Sequence, residues 1–332
     1  MNTSALKALF DPAGAFEHPV FRTVAFVAVG AVAAGLIAPI VLGKRIKPEL
    51  ARDIRVRTLT WIALIVITLG AIALGQGTTI ALVGLLSLLC YREFARATGL
   101  FRETLVSLIV ALGIIAVTFA NFDHWRGLVG GLIAIVPMLI CVCSILRDAP
   151  KGYIQRCALG SAAFMLFGVG LGRLGGIACD HDFRPILALT IFLCQISDVS
   201  AYCFGKALGR RKLLPNTSPG KTLAGHLGAL VTVSALGLLL WPMVFTTGDM
   251  HAWPHALALG FIVALCAQLG DLLISSVKRD VGIKDMGAVL PGHGGVLDRC
   301  NSLLLAAPAV YHYLLFFRGL GLDAPVRIIT GP

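Results

Sequence analysis

Asp271 and Asp298 stand 27 residues apart in this chain. Between them lie Ser276, Lys278, Arg279, Lys284 and Asp285, then the run Pro291-Gly292-His293-Gly294-Gly295. Two carboxylates with Ser, Lys and Arg between them suit a divalent cation that carries a polyphosphate. Mg2+ takes one or two carboxylates and lets phosphate oxygens and water complete its octahedron. Lys and Arg would neutralise the remaining phosphate charge, and a glycine-rich turn lets backbone approach a ligand closely. Singly, each residue has an ordinary explanation; His293, for one, could merely cap a turn. In a chain with only 14% charged residues, the cluster as a whole reads as a site.

A second polar segment runs from Asp198 to Gly225, and the first cluster belongs to a longer segment from Gln268 to Asn301. Both read as loops, and each begins with an acid near the end of an apolar helix. An ionisable group at membrane depth is by default a functional candidate. Ser218-Pro219-Gly220-Lys221-Thr222 resembles the end of a P-loop, but that motif needs Gly where Pro215 stands, and no soluble strand–loop–helix unit surrounds it. A P-loop NTPase is therefore rejected. The physical logic holds: a Ser-Pro-Gly turn leading into a helix offers free N–H groups, to which Lys221 and Thr222 add an ammonium and a hydroxyl, a good setting for phosphate. An ordinary helix start at a membrane surface would look much the same, so this segment alone does not decide.

The elements that must hold these residues are membrane helices. Hydrophobic residues fill 57% of 332 positions, and the charged share is well below the roughly 25% of a soluble domain. The mean hydropathy of +0.87 leaves too little polar surface to cover a soluble globule. Apolar stretches near 22–43, 58–75, 79–91, 104–120, 128–146, 157–177, 186–204, 223–246, 254–275 and 302–317 predict an all-α polytopic bundle of nine or ten spans of about 20 residues. The third is short and must continue into the polar turn after it. Helices follow because each backbone N–H and C=O needs a partner within the segment; the period-2 alternation of a barrel is absent. The bundle reads as one membrane domain, with residues 1–185 as N-terminal helices and 186–332 carrying the polar segments.

Net charge is +11, yet the basic residues form no single patch of the kind nucleic acid requires. They fall in alternate loops: Lys44, Arg45, Lys47, Arg52, Arg55 and Arg57 after the first span, Arg92, Arg96 and Arg102 after the third, Arg147, Lys151 and Arg156 after the fifth, Lys206, Arg210, Arg211, Lys212 and Lys221 after the seventh, and Lys278, Arg279, Lys284 and Arg299 after the ninth. The positive-inside rule makes these loops cytoplasmic and puts the N-terminus outside. The first span is too long for a signal-peptide core and is followed at once by a basic cluster; residues 1–19 read as a polar or interfacial lead. Most of the nine cysteines sit in apolar spans as small hydrophobes, and Cys141-x-Cys143 lacks partner ligands. Gly168, Gly172 and Gly176 are spaced for close helix packing, against another helix of the chain or a second copy, which leaves a homodimer open.

The segment from Ser276 to Arg299, with its S-x-x-K-R, K-D, P-x-H-G-G and D-R elements, resembles the signature of the phosphatidate cytidylyltransferase (CDP-diacylglycerol synthase) family. Gln268-x-Gly270-Asp271, Asp198-x-x-Ala201-Tyr202, Gly205, Gly209 and Ser218-Pro219-x-Lys221-Thr222 match too. The resemblance covers the chain from about residue 190 onward; the N-terminal half matches only as apolar spans. It implies attack of the phosphate of phosphatidic acid on the α-phosphorus of CTP, at the cytoplasmic face of the inner (cytoplasmic) membrane. It implies Asp271 and Asp298 on Mg2+, with a monovalent cation such as K+ nearby, and Lys278 and Arg279 beside them in catalysis. It implies substrate held by Asp198, Ser218, Lys221, Thr222, Ser276, Lys284, His293, Gly294, Gly295 and Arg299. Two positions depart from the pattern: an acid usually stands where this chain has Ala224, and another where it has Asn301, which keeps a carbonyl acceptor and loses a charge. Two other readings weigh against this one. A CTP-dependent enzyme acting on another lipid phosphate or on a lipid alcohol is one, the two departures leaving room for the former and the signature arguing against the latter; a transporter is the other, and it would spread its ionisable residues along the midplane of several spans.

Overall fold

The apolar stretches do become helices. The computed structural model describes residues 9–42, 48–319 and 327–331; Lys7, Lys44, Arg45 and Lys47 lie outside the described residues. Among the described residues, ten helices are long and apolar enough to cross a membrane. They are α1 (Pro19–Leu42), α2 (Pro48–Leu74), α3 (Gln76–Thr98), α4 (Thr104–Phe122) and α5 (Arg126–Ile145), followed by α6 (Tyr153–Ala178), α7 (Phe183–Leu208), α8 (Leu223–Val244), α9 (Trp253–Asp280) and α10 (Leu297–Arg318). The core runs between α3, α4, α6, α7, α9 and α10, while α1 and α2 bury only 11% of their apolar windows and present most of their surface outward.

The helices outrun the apolar stretches, and this corrects the reading of the polar segments as loops. α3 continues through Arg92 and Glu93 to Thr98. α7 reaches Leu208 and α9 reaches Asp280, so Asp198 and Asp271 stand on helix as their apolar stretches place them, and Ser276, Lys278 and Arg279 stand on helix as well. Polar side chains at a membrane interface do not stop a helix; glycine with positive φ does. Gly282 has φ +72°, and the amides of Gly282 and Ile283 donate back to the carbonyls of Arg279 (3.2 Å) and Lys278 (2.9 Å).

The other departure is a hairpin. β1 (Lys212–Leu214) and β2 (Ser218–Thr222) pair antiparallel, Lys212 opposite Thr222 and Leu214 opposite Ser218. Ser218-Pro219-Gly220 is therefore strand, not the turn that a helix-start reading expects. Strand leads straight into α8, whose N-cap is Thr222, with its hydroxyl accepting from the Gly225 amide at 3.1 Å.

α6 contains a π-helical stretch, Phe164–Leu171, and the expected glycine row lies on and just after it. A Cβ on Gly172 would come 2.9 Å from Val117 of α4, and one on Gly176 would come 2.7 Å from the Tyr311 ring of α10. The row thus packs against helices of the same chain. Gly172→Leu should cost about 1–3 kcal/mol by overpacking. We expect a lower melting temperature in detergent with unchanged particle size; unchanged stability would mean that α4 yields freely.

The end of the bundle away from Leu297 is closed by polar contacts. Arg318 pairs with Asp180 and Asp182, the buried Asp123 accepts from the amides of Ile329 and Thr330, and Gly77 donates to the Leu9 carbonyl at 2.8 Å.

Candidate functional site

The chemistry gathers at the opposite end, where α9 and α10 run antiparallel and nearly touch. Their approach depends on Gly270: a Cβ there would fall 2.4 Å from the Asn301 carbonyl oxygen. The adjacent Asp271 consequently faces α10 at short range. Asp271 and Lys278 lie seven residues apart, two turns of one helix face and about 10 Å along its axis. Each meets a residue of α10, forming two polar rungs.

The first rung is Lys278 Nζ to Asp298 Oδ1 at 2.9 Å. The other oxygen of Asp298 accepts from the amides of Met286 (2.9 Å) and Gly295 (3.0 Å). Its side chain is only 4% exposed, so this carboxylate also ties the 281–296 loop to the start of α10. In the second rung the Asn301 amide donates to Asp271 Oδ1 at 2.8 Å. Lys221 reaches across from β2 to Asp271 Oδ2 at 2.6 Å. The orientation of Asn301 is fixed because its own carbonyl oxygen accepts from the Ser302 amide at 2.7 Å. Ser302 Oγ lies 3.3 Å from Asp198 of α7, and Asp198 is within electrostatic reach of Asp271, Lys221 and Arg299. Asp198, Lys221 and Asp271 therefore form one cluster, drawn from three separate elements.

The remaining expected residues divide by what they touch. Arg279 donates to the carbonyls of Thr217 and Ile283 and ties the hairpin to the end of α9. Ser218 is half-buried in β2 and Lys284 and Arg299 are exposed. Thr222 is buried with its hydroxyl committed to the helix cap, and Ser276 Oγ donates to the Leu272 carbonyl of its own helix. His293 is buried with its ring edge-on to Trp61 of α2, 5.7 Å between centroids. Burial lowers its pKa below the usual histidine value. Thr60 of α2 anchors the same loop by donating to the Pro291 carbonyl at 2.9 Å.

Glu93 is the residue that sequence reasoning passed over. It projects from α3, is 5% exposed, and accepts from the amides of Val296 (3.0 Å) and Leu297 (2.8 Å). These are N–H groups that an opening helix leaves without intrahelical partners. The glycines of the loop make room for it: a Cβ on Gly287 or Gly295 would stand 2.6 or 2.4 Å from a Glu93 oxygen. Gly295 thus admits a carboxylate of the chain itself. The available signal was an acid at the end of an apolar helix, the criterion that singled out Asp198 and Asp271. It was obscured because the apolar stretch breaks at residue 91 and Arg92 and Arg96 give the sequel the look of a basic loop.

Among the described residues no three His, Cys, Asp or Glu side chains converge into a metal cage. The hard oxygens that do meet still fit Mg2+, which needs one or two carboxylates when phosphate and water supply the rest. Asp271 is the open member at 26% exposure, and the Lys221 ammonium sits on it as a cation already.

The Cytidylyltransferase family model matches residues 55–317. "Phosphatidate cytidylyltransferase" of Staphylococcus saprophyticus is 30% identical over 258 residues, 76% of this chain and 96% of that protein. The protein of the same name in Staphylococcus haemolyticus is 29% identical over 258 residues, with the same coverage. "Uncharacterized protein YnbB" of Escherichia coli (strain K12) is 25% identical over 280 residues, 80% of this chain and 88% of its own length. The family match begins within α2, includes Glu93 of α3 and runs almost to the end of α10, so it takes in the helices that brace the site as well as those that carry it: the chain belongs to the cytidylyltransferase family.

Proposed function

We propose that this protein transfers a cytidylyl group from CTP to phosphatidic acid, giving CDP-diacylglycerol and pyrophosphate. The observation that carries the reading is the cluster of Lys221, Asp271 and Asp198 at one end of the membrane bundle, where a soluble triphosphate and a lipid phosphate can meet. A phosphate monoester is already a competent nucleophile, so no strong base is needed. Its oxygen bonds to the α-phosphorus of CTP, the bond from that phosphorus to the bridging oxygen breaks, and pyrophosphate leaves with the electron pair. Lys221 and Lys278 would turn from their carboxylates toward phosphate oxygens, offsetting charge where it builds up, while the cluster holds both substrates in line. Asp271, with Asp198 near it, would hold Mg2+, which when bound supplies further charge neutralisation. The names of the staphylococcal relatives support the lipid acceptor. The basic residues on the site's side support a cytoplasmic face on the inner membrane.

Purified protein in mixed micelles, given phosphatidic acid, Mg2+ and CTP labelled at either the α- or γ-phosphorus, tests this. Transfer should carry the α-label into the lipid phase and release the γ-label as pyrophosphate. A γ-label in the lipid would mean a kinase, and substrate flux across vesicles with no turnover of either label would mean transport.

Asn301 sets a second test. Asn301→Asp would place a carboxylate where an amide now donates to Asp271, adding negative charge beside a shared cation. We expect the Mg2+ concentration for half-maximal rate to fall about tenfold, equivalent to about 1.4 kcal/mol, with turnover little changed. An inactive wild type rescued by this substitution would show instead that the amide has disabled the site.

A further inference from the structure

We infer that Glu93 is a positioning residue for the transfer: from α3 it fixes the first turn of α10 and thereby the place of the Asp298–Lys278 pair, without touching substrate. The inference rests on the proposed reaction in its catalytic part and on geometry alone in its structural part. Two carboxylates share the amides at this helix start, Glu93 taking Val296 and Leu297 while Asp298 takes Gly295. Asp298 is therefore held twice over through the residues just before it, by its own bond to Gly295 and by the Glu93 bond to its neighbour Leu297. Glu93 lies on a different helix from every other acid of the site and is buried. It therefore contributes as a fixed anchor against which the loop and α10 are set. A Cβ at Gly287 or Gly295 would crowd its oxygens, so a side chain at either position would push the loop away from the anchor. An ion pair aligned on phosphate loses rate steeply with small displacement, which is why such an anchor matters to turnover.

Glu93→Gln keeps the shape and replaces one accepting oxygen with an NH2 that faces a backbone donor. Hydrogen exchange of the segment 286–298, followed by mass spectrometry in detergent, should quicken at least tenfold in this variant while exchange in α6 stays as in wild type. Turnover should fall at least tenfold. Lys278→Arg supplies the discriminating partner. If Glu93 acts through the Asp298–Lys278 pair, the Glu93→Gln, Lys278→Arg double variant should be no more than about threefold slower than the worse single one. Losses that multiply, or quickened exchange spread through the whole bundle, would reduce Glu93 to a general structural role. Unchanged exchange in 286–298 would overturn the anchoring itself. A wild type that moves no label from CTP would sink the proposed reaction, while the exchange measurement would still decide whether Glu93 holds α10.

Discussion

Asp271→Asn should lower cytidylyl transfer at least about a hundredfold, roughly 2.7 kcal/mol of activation free energy, in a protein that folds as before. The asymmetry follows from exposure and partners. Asp271 and Lys221 are 26% and 27% exposed, and an ion pair that open contributes only about 0–1 kcal/mol to stability. The bond from Asn301 survives the change, because an Asn carbonyl oxygen can accept it in place of Oδ1. What is lost is the charge that counterbalances Lys221 and would meet Mg2+ in a site where, among the described residues, no three acids, histidines or cysteines converge. Raising Mg2+ should recover part of the rate, since the defect is one of cation affinity. Transfer of α-labelled cytidylyl to lipid, measured across a Mg2+ series together with the melting temperature in detergent, checks each part. Near-normal turnover at low Mg2+ would remove Asp271 from the metal-binding role.

Much of this arrangement could be read before the fold was known, because membrane chains use few charges and place them for cause. Ten apolar stretches gave ten helices, and Asp198, Lys221 and Asp271 were picked out singly and do converge. Two kinds of feature escaped. One was the length of the helices: hydropathy marks where hydrocarbon ends, whereas a helix ends where a glycine turns the chain, as at Gly282. Lys278 and Arg279 were therefore assigned to a loop although they share one helix with Asp271. The other was the purpose of the glycines. A glycine-rich run looks the same whether it clears space for a ligand or for a buried carboxylate, and only the placement of Glu93 on α3 shows that Gly287 and Gly295 serve the second. Thr222 and His293 illustrate a similar ambiguity: a hydroxyl and an imidazole suited to phosphate are also suited to capping a helix and packing on Trp61, contacts that both make here.

Asp298→Asn should be damaging in a different way from Asp271→Asn, although both remove one carboxylate. Asp298 is 4% exposed and receives the Lys278 ammonium and the amides of Met286 and Gly295. An Asn side chain offers one carbonyl oxygen to these three donors and turns a donor of its own toward the rest. At least one buried N–H would lose its acceptor, at about 1–3 kcal/mol. Lys278, only 12% exposed, would be left without its anion, and removing one member of a pair this deep costs about 3–5 kcal/mol. These costs overlap, so a loss of about 3–5 kcal/mol is expected for the two together. We therefore expect a melting temperature lower by several degrees, faster exchange in 286–298, and a rate loss of at least a hundredfold that added Mg2+ does not relieve. The contrast with Asp271→Asn under the same Mg2+ series is the decisive comparison. A rate restored by Mg2+ with melting unchanged would mean that Glu93 alone holds the start of α10 and that Asp298 is free to act on the cation.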